Sequence, residues 1–161
     1  MFIGRKVSLT AIEQRLVKTV AKARRDSNRK EGLTDRKISS ADGLELDILG
    51  FGGELALCKA FNLYPDLYVK PRKPKDDKGD VVFGGLGLDV KTNSRDNGDL
   101  LIAPWKTSEY VQGFALMTGK FPVFTYRGMI EAEEATQPWW LKDLGRGESY
   151  VIPQSKLKET I

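Results

Sequence analysis

Asp80, Asp89 and Lys91 stand on two short segments, DVVF and LDVKT, that flank the glycine-rich sequence GGLG. This pattern reads as a β-hairpin, DVVF being one strand and LDVKT the other. With all four residues of GGLG in the turn, Asp80 lies opposite Lys91 and Val82 opposite Asp89. Opposed residues share a face of the sheet, and so do alternate residues along a strand. Asp80, Asp89 and Lys91 are therefore expected on one face, about 5–8 Å apart. Val81, Phe83, Leu88 and Val90 turn to the other face and the core. A one-residue slip in register would carry Asp80 away from its companions.

Two carboxylates at that separation repel one another unless a cation lies between them. Lys91 supplies part of the charge, and a hard divalent ion fits better. Mg²⁺ takes one or two carboxylates at about 2.0–2.1 Å and keeps waters in its remaining positions. Such an ion polarises a phosphoryl oxygen and lowers the pKa of a bound water. A neighbouring lysine can orient that water or neutralise charge on a phosphorane-like transition state. The chemistry suggested is in-line hydrolysis of a phosphodiester. Asp-x-Lys on a strand is, by itself, a surface salt-bridge pattern, so the reading rests on the residues acting together.

The elements that must position these groups follow from apolar periodicity. Thr10 and Glu13 have capping-box spacing, and Ile12, Leu16, Val20 and Ala23 recur at helical intervals, with Gly32 as a stop. A polar loop is expected over 33–43. Residues 44–63 form a second helix, with Leu46, Leu49, Gly53, Leu57 and Ala60 on one face and Glu54 embedded in an apolar setting. Glycines at 52 and 53 each weaken a helix by about 1 kcal/mol relative to alanine, so they imply close approach by a neighbour. An unpaired buried carboxylate at Glu54 is costly; pairing with Lys59 is one way to satisfy it, and membership of the site is the other.

Beyond Pro65, Leu67–Lys70 reads as a short strand leading to a charged loop. LLIAPW, YVQGFALMTG and VFTYRGMIEA read as extended segments, 133–144 as a short helix or loop around Trp139 and Trp140, and SYVIPQSKL as a last strand. The order predicts an α+β protein with a mixed sheet flanked by helices. A single domain is expected over residues 1–161, with a basic N-terminal helix at about 10–31. Phe61, Tyr64 and Tyr68 are assigned to the core. Trp139 and Trp140 suit core or dimer packing, or stacking on bases.

Composition removes whole classes of chemistry. The 161 residues contain no histidine, which excludes Ser-His-Asp and Cys-His catalysis and His-liganded zinc. The lone Cys58 cannot form an internal disulfide and reads as a buried small side chain. No apolar run reaches the about 20 residues of a membrane span, and MFIGRKVSLT lacks a signal peptide's apolar stretch. A cytoplasmic protein with no membrane partner is expected. Residues 1–37 hold eleven Lys/Arg against four acids, so with a net charge of +4 the remainder sums to −3. That asymmetry suits a polyanion partner. Lys18, Lys22, Arg24, Arg25, Arg29 and Lys30 are candidate phosphate contacts, with Arg72, Lys73 and Lys75 beside the hairpin; a solvated surface is the competing reading.

Glu54 in GGELALCKAF, Asp80 in GDVVF and the triplet Asp89-Val90-Lys91 in LDVKT together resemble the PD-(D/E)XK, or restriction-endonuclease-like, nuclease superfamily. Gly79 stands where the motif's name has proline. The resemblance spans about residues 44–132. It implies an αβββαβ-type core, dependence on Mg²⁺ or Mn²⁺, and DNA as substrate. It also implies Asp80, Asp89 and the Val90 carbonyl as metal ligands, Lys91 as the water-positioning residue, and Glu54 as an accessory acid able to join the metal. Gln112, read within an extended segment, does not match the helical glutamine of the exonuclease branch. That departure weakens an exonuclease assignment, and the chain is too small to carry a separate sequence-reading domain. The expectation is therefore an endonuclease, structure-selective in the manner of Holliday-junction resolvases and homodimeric, of the compact kind that phages encode. An exonuclease of the same superfamily, a non-catalytic nucleic-acid-binding module and a metal-binding regulatory protein stay open.

Overall fold

The computed structural model describes residues 1–30, 32, 43–69, 79–106 and 108–161. Two helices lead the chain after a short strand, β1 (Lys6–Ser8): α1 (Ala11–Lys30) and α2 (Gly43–Phe61). The capping box forms as its spacing predicts. Thr10 N–H donates to Glu13 Oε2 at 2.7 Å, and Glu13 N–H donates to Thr10 Oγ1 at 3.2 Å. Asn62, with φ 56°, closes α2, and Leu63 N–H reaches back to the Cys58 carbonyl at 2.8 Å. This is the left-handed ending of a Schellman motif.

The inward stripe of α1 differs from the one expected. Val17, Val20 and Ala21 are buried, whereas Ile12 is exposed and Leu16 and Ala23 only half-buried. The stripe continues through Arg24, whose guanidinium lies 4.7 Å from the Phe51 ring centroid. Packing against α2 sets the rotation, and a long cationic side chain with an aromatic and an acid to meet displaces alanine from the interface.

Strands β2 (Val81–Phe83), β3 (Leu86–Asn93), β5 (Gly113–Lys120) and β6 (Val123–Glu131) join β1 in a mixed five-stranded sheet. Its order is β1-β6-β5-β3-β2. Only β3 and β5 run parallel. A second, antiparallel sheet joins β4 (Leu100–Ile102), β8 (Glu148–Ile152) and β7 (Leu141–Asp143). Helix α2 packs on one face of the large sheet, with α1 outside it. Val7, Leu57, Leu88, Val90, Met117 and Tyr126 belong to the core there. On the opposite face Phe114, Leu116 and Ile130 meet Leu100, Ile102 and Ile152 and the short helix α3 (Ala132–Ala135). The protein is thus α+β, a mixed sheet flanked by helices. Among the described residues no helix is long and apolar enough to cross a membrane.

Several expectations change. Leu67–Val69 pair with no strand, and Lys70 with the loop 71–78 falls outside the described residues, as do 33–42. The parallel pair β3 and β5 is connected through β4, where the αβββαβ order has a helix. Gln112 sits in a bend just before β5: its N–H donates to the Gly87 carbonyl at 2.9 Å, and its side-chain oxygen accepts the Gly87 N–H at 2.7 Å. It clips β3 to β5. Trp139 is exposed, and Trp140 is half-buried with its indole N–H on the Glu134 carbonyl at 3.1 Å.

Candidate functional site

The hairpin register differs from the expectation by a step that preserves the face. Val81 pairs with Leu88, Val82 with Gly87 and Phe83 with Leu86. The turn is therefore Gly84-Gly85, whose φ values of 55° and 84° meet the demand of a type I′ turn at both central positions. Every residue's partner moves by two relative to a four-residue turn, so Asp80 comes to Asp89 instead of Lys91. Asp80, Asp89 and Lys91 still share one side. Val81, Leu88 and Val90 are buried on the other, and Phe83 packs beside them.

Asp80 lies just before β2 and binds back onto β3. Its N–H donates to the Leu88 carbonyl at 2.7 Å, and its Oδ2 accepts the Val90 N–H at 2.7 Å. The N–H and C=O of one strand residue point the same way. The Val90 carbonyl, expected from the resemblance as a ligand, is thus aimed toward the edge that Asp80 occupies. Gly79, with φ 92°, permits the approach; a Cβ there would fall 2.6 Å from the Leu88 carbonyl oxygen.

Asp89 is buried and carries two cations on one oxygen: Lys91 Nζ at 2.8 Å and Lys106 Nζ at 3.5 Å from Oδ2. Both are ion pairs, and Oδ2 is buried without a further hydrogen-bond partner. Burial pulls the Asp89 pKa upward, but Lys91, a hydrogen bond shared with Asp80 and Lys106 together hold it at about 2. Asp80 is the opposite partner of the pair. Burial first, then the charges of Glu54 and Asp89, push its pKa well above the usual carboxylate range. The two shifts run in opposite directions, the asymmetry expected of like charges forced together.

Glu54 arrives from α2, its side chain mostly buried. Lys59 is not its partner; that ammonium binds Glu13 at 3.0 Å and the Ser8 carbonyl at 2.9 Å. Arg24 Nη1 stands 3.8 Å from Glu54 Oε2 instead. Burial raises the Glu54 pKa to about 7, with Arg24 opposing and the charge of Asp89 adding to it. The glycine pair of α2 has the close approaches that its sequence implied, to side chains. A Cβ on Gly53 would lie 2.0 Å from Thr92 Oγ1, and one on Gly52 2.9 Å from Phe124 Cζ.

The structure thus gathers Glu54, Asp80, Asp89 and Lys91. Lys106, from the β4–β5 crossover, was not legible in the sequence, since nothing in APWKT distinguishes it from surface lysine. Of the candidate phosphate contacts, Lys18, Lys22, Arg29 and Lys30 are exposed. Lys22 pairs with Asp26 at 3.1 Å and Lys18 Nζ lies 5.7 Å from the Phe121 ring centroid. Arg24 and Arg25 turn inward, Arg25 to Asp47 at 3.2 Å. Arg72, Lys73 and Lys75 lie outside the described residues. Cys58 is buried, its thiol pushed up to about 12 chiefly by that burial. Among the described residues, no three or more His, Cys, Asp or Glu side chains are grouped as a metal cage. Compared with known proteins, the chain matches no protein-family model, no curated protein and no solved structure.

Proposed function

We propose that the chain is a Mg²⁺- or Mn²⁺-dependent deoxyribonuclease of the PD-(D/E)XK type, acting as an endonuclease on a restriction-endonuclease-like core. The observation that carries this reading is that Asp80, held on the Val90 N–H at 2.7 Å just before β2, sits beside Asp89, with Lys91 Nζ 2.8 Å from Asp89 Oδ2. The residues fit a hard divalent cation. Asp89 Oδ2 is a buried anionic oxygen that already draws cations to it, Lys91 and Lys106, Asp80 touches the same carboxylate, and the Val90 carbonyl is directed to their edge. Two carboxylates and a carbonyl suffice for Mg²⁺, which retains waters rather than seeking an all-protein cage.

When bound, the ion would supply positive charge to the phosphoryl group and acidify a water. The chain supplies the rest. Asp80 and Asp89 would hold the cation, and Lys91 would donate a hydrogen bond to the attacking water or to a non-bridging phosphate oxygen. Glu54, with a pKa of about 7, is matched to accept a proton near neutral pH. The water oxygen bonds to phosphorus, the bond to the leaving strand breaks, and that strand's oxygen takes a proton.

The test is incubation of the purified chain with branched, linear duplex and single-stranded DNA, with Mg²⁺, Mn²⁺ or EDTA. Metal-dependent internal cleavage, lost in Lys91→Ala, is expected. Absence of cleavage with both metals on all three substrates overturns the reading.

A further inference from the structure

Tyr64 and Tyr68, assigned to the core from the sequence, are instead exposed, by 85% and 68%. Both line an open cleft of about 690 Å³, a size that suits a small-molecule-sized group. Val82, itself exposed, forms part of the wall, and Asp80 stands in the same lining. The cleft therefore joins an aromatic, apolar surface to the acid that opens the catalytic hairpin. We propose that Tyr64 and Tyr68 form a stacking platform for an unpaired base of the DNA strand next to the scissile phosphate. The substrate class rests on the nuclease reading; the platform rests on the cleft.

Two observations favour a base over other occupants. The aromatic and apolar lining suits a flat ring, and the charged groups beside it, Asp66 and Asp80, are both acids. Asp66 on the rim repels phosphate but can accept the amino group of a base, so the anion belongs toward Lys91 and Lys106 and the ring toward the tyrosines. The segment is also held in place. Arg24 Nη2 donates to the Asp66 carbonyl at 2.6 Å and Arg24 Nε to the Tyr68 carbonyl at 3.0 Å, while the Tyr68 N–H donates to Asp66 Oδ1 at 2.9 Å. The same guanidinium is the ion partner of Glu54. Arg24 is thus a positioning residue that ties the platform to the catalytic acids. A base inside a duplex has both faces covered, so stacking here selects strands that are single, frayed or branched.

The test measures binding in EDTA, where no cleavage can occur, to a single-stranded oligonucleotide carrying 2-aminopurine and to a blunt, fully paired duplex. Tyr64→Ala and Tyr68→Ala are each expected to weaken single-strand binding about 5- to 100-fold. Duplex binding should change less than about twofold, and the 2-aminopurine quench should disappear. Tyr64→Phe and Tyr68→Phe, which keep the ring, should bind and quench as the parent does. Unchanged single-strand binding in both alanine variants, or equal losses on single strand and duplex, overturns the platform. The two readings fail separately. Cleavage with tyrosine-independent binding sinks the platform alone, and tyrosine-dependent binding without cleavage under any metal sinks the nuclease alone.

Discussion

The backbone N–H of Val90 donates to the carboxylate of Asp80 at 2.7 Å, so the first acid of the site also finishes the β2–β3 ladder. β2 begins only at Val81. Beyond it, the amide of Val90 has no strand residue to pair with, and a side chain takes the place of a carbonyl. The acid is oriented by the same bond that satisfies the backbone. Structure and chemistry at position 80 can therefore be separated by choice of substitution.

Asp80→Asn keeps an oxygen acceptor for Val90 and removes a carboxyl group that its neighbours disfavour as an anion. Its metal-free thermal midpoint at pH 8 should equal or exceed that of the parent. Asp80→Ala leaves the Val90 amide unpartnered and should be less stable than the asparagine variant by about 1–3 kcal/mol. Both should lose the rise in midpoint that millimolar Mg²⁺ gives the parent. A full Mg²⁺ response in Asp80→Asn would remove Asp80 from the metal site.

The raised pKa of Glu54 fixes the sign of a stability profile. A carboxyl group whose pKa rises on folding, here from 4.5 to about 7, binds its proton more tightly in the folded state. Its contribution is fully present below the unfolded value and is lost as pH rises through 7. Asp80 titrates in the same direction, whereas Asp89, held at about 2, stays ionised throughout this window. Metal-free protein should therefore lose stability between pH 5 and pH 8, and Glu54→Gln should flatten the decline. Thermal midpoints measured across that range with EDTA provide the check; a midpoint that climbs toward pH 8, or an unaltered slope in Glu54→Gln, contradicts it.

Gly53 shows how tightly α2 is set against β3. Alanine there gains about 1 kcal/mol of helix propensity, yet its Cβ would stand 2.0 Å from Thr92 Oγ1. Overpacking of this kind costs about 1–3 kcal/mol. Gly53→Ala should lower the urea midpoint, and by moving Glu54 away from β3 it should also reduce cleavage. Thr92→Ala removes the obstructing hydroxyl, which has no hydrogen-bond partner, and should restore most of both losses in the double variant. Additive effects of the two substitutions would show that the contact is not the cause.

The parts of this protein that could be read from sequence are those governed by local spacing. Alternation in DVVF and LDVKT decided which residues enter the core, because a side-chain period of two survives an error of two in register. The turn itself was misjudged: Gly84-Gly85 alone can supply both positive φ values, so Leu86 and Gly87 are free to extend β3. Tyr64 and Tyr68 were misplaced because hydrophobicity alone does not say whether a loop after Pro65 folds inward. Their exposure depends on Arg24, from a helix far away in sequence, holding the carbonyls of 66 and 68. Lys106 was invisible for the same kind of reason. It reaches Asp89 only because β4 carries the crossover around to the parallel strand β5.

Lys91 and Lys106 touch the same Asp89 oxygen at 2.8 and 3.5 Å, but their consequences should differ. Lys91 is on the hairpin, its side chain 30% exposed, whereas Lys106 is more enclosed. If Lys91 stabilises the charge that grows during phosphodiester cleavage, Lys91→Ala should lower kcat on the order of 10²- to 10³-fold. Lys106→Met retains the apolar stem and removes only the second cation. The pKa of Asp89, about 2 in the parent, should then rise, with a smaller loss of kcat than in Lys91→Ala. The measurements are kcat for the parent and both variants, and the titration of the Asp89 carboxyl carbon at acid pH followed by NMR in metal-free protein. Equal losses of kcat in the two variants, or an Asp89 titration that does not move in Lys106→Met, would mean that the crossover lysine does not act through Asp89.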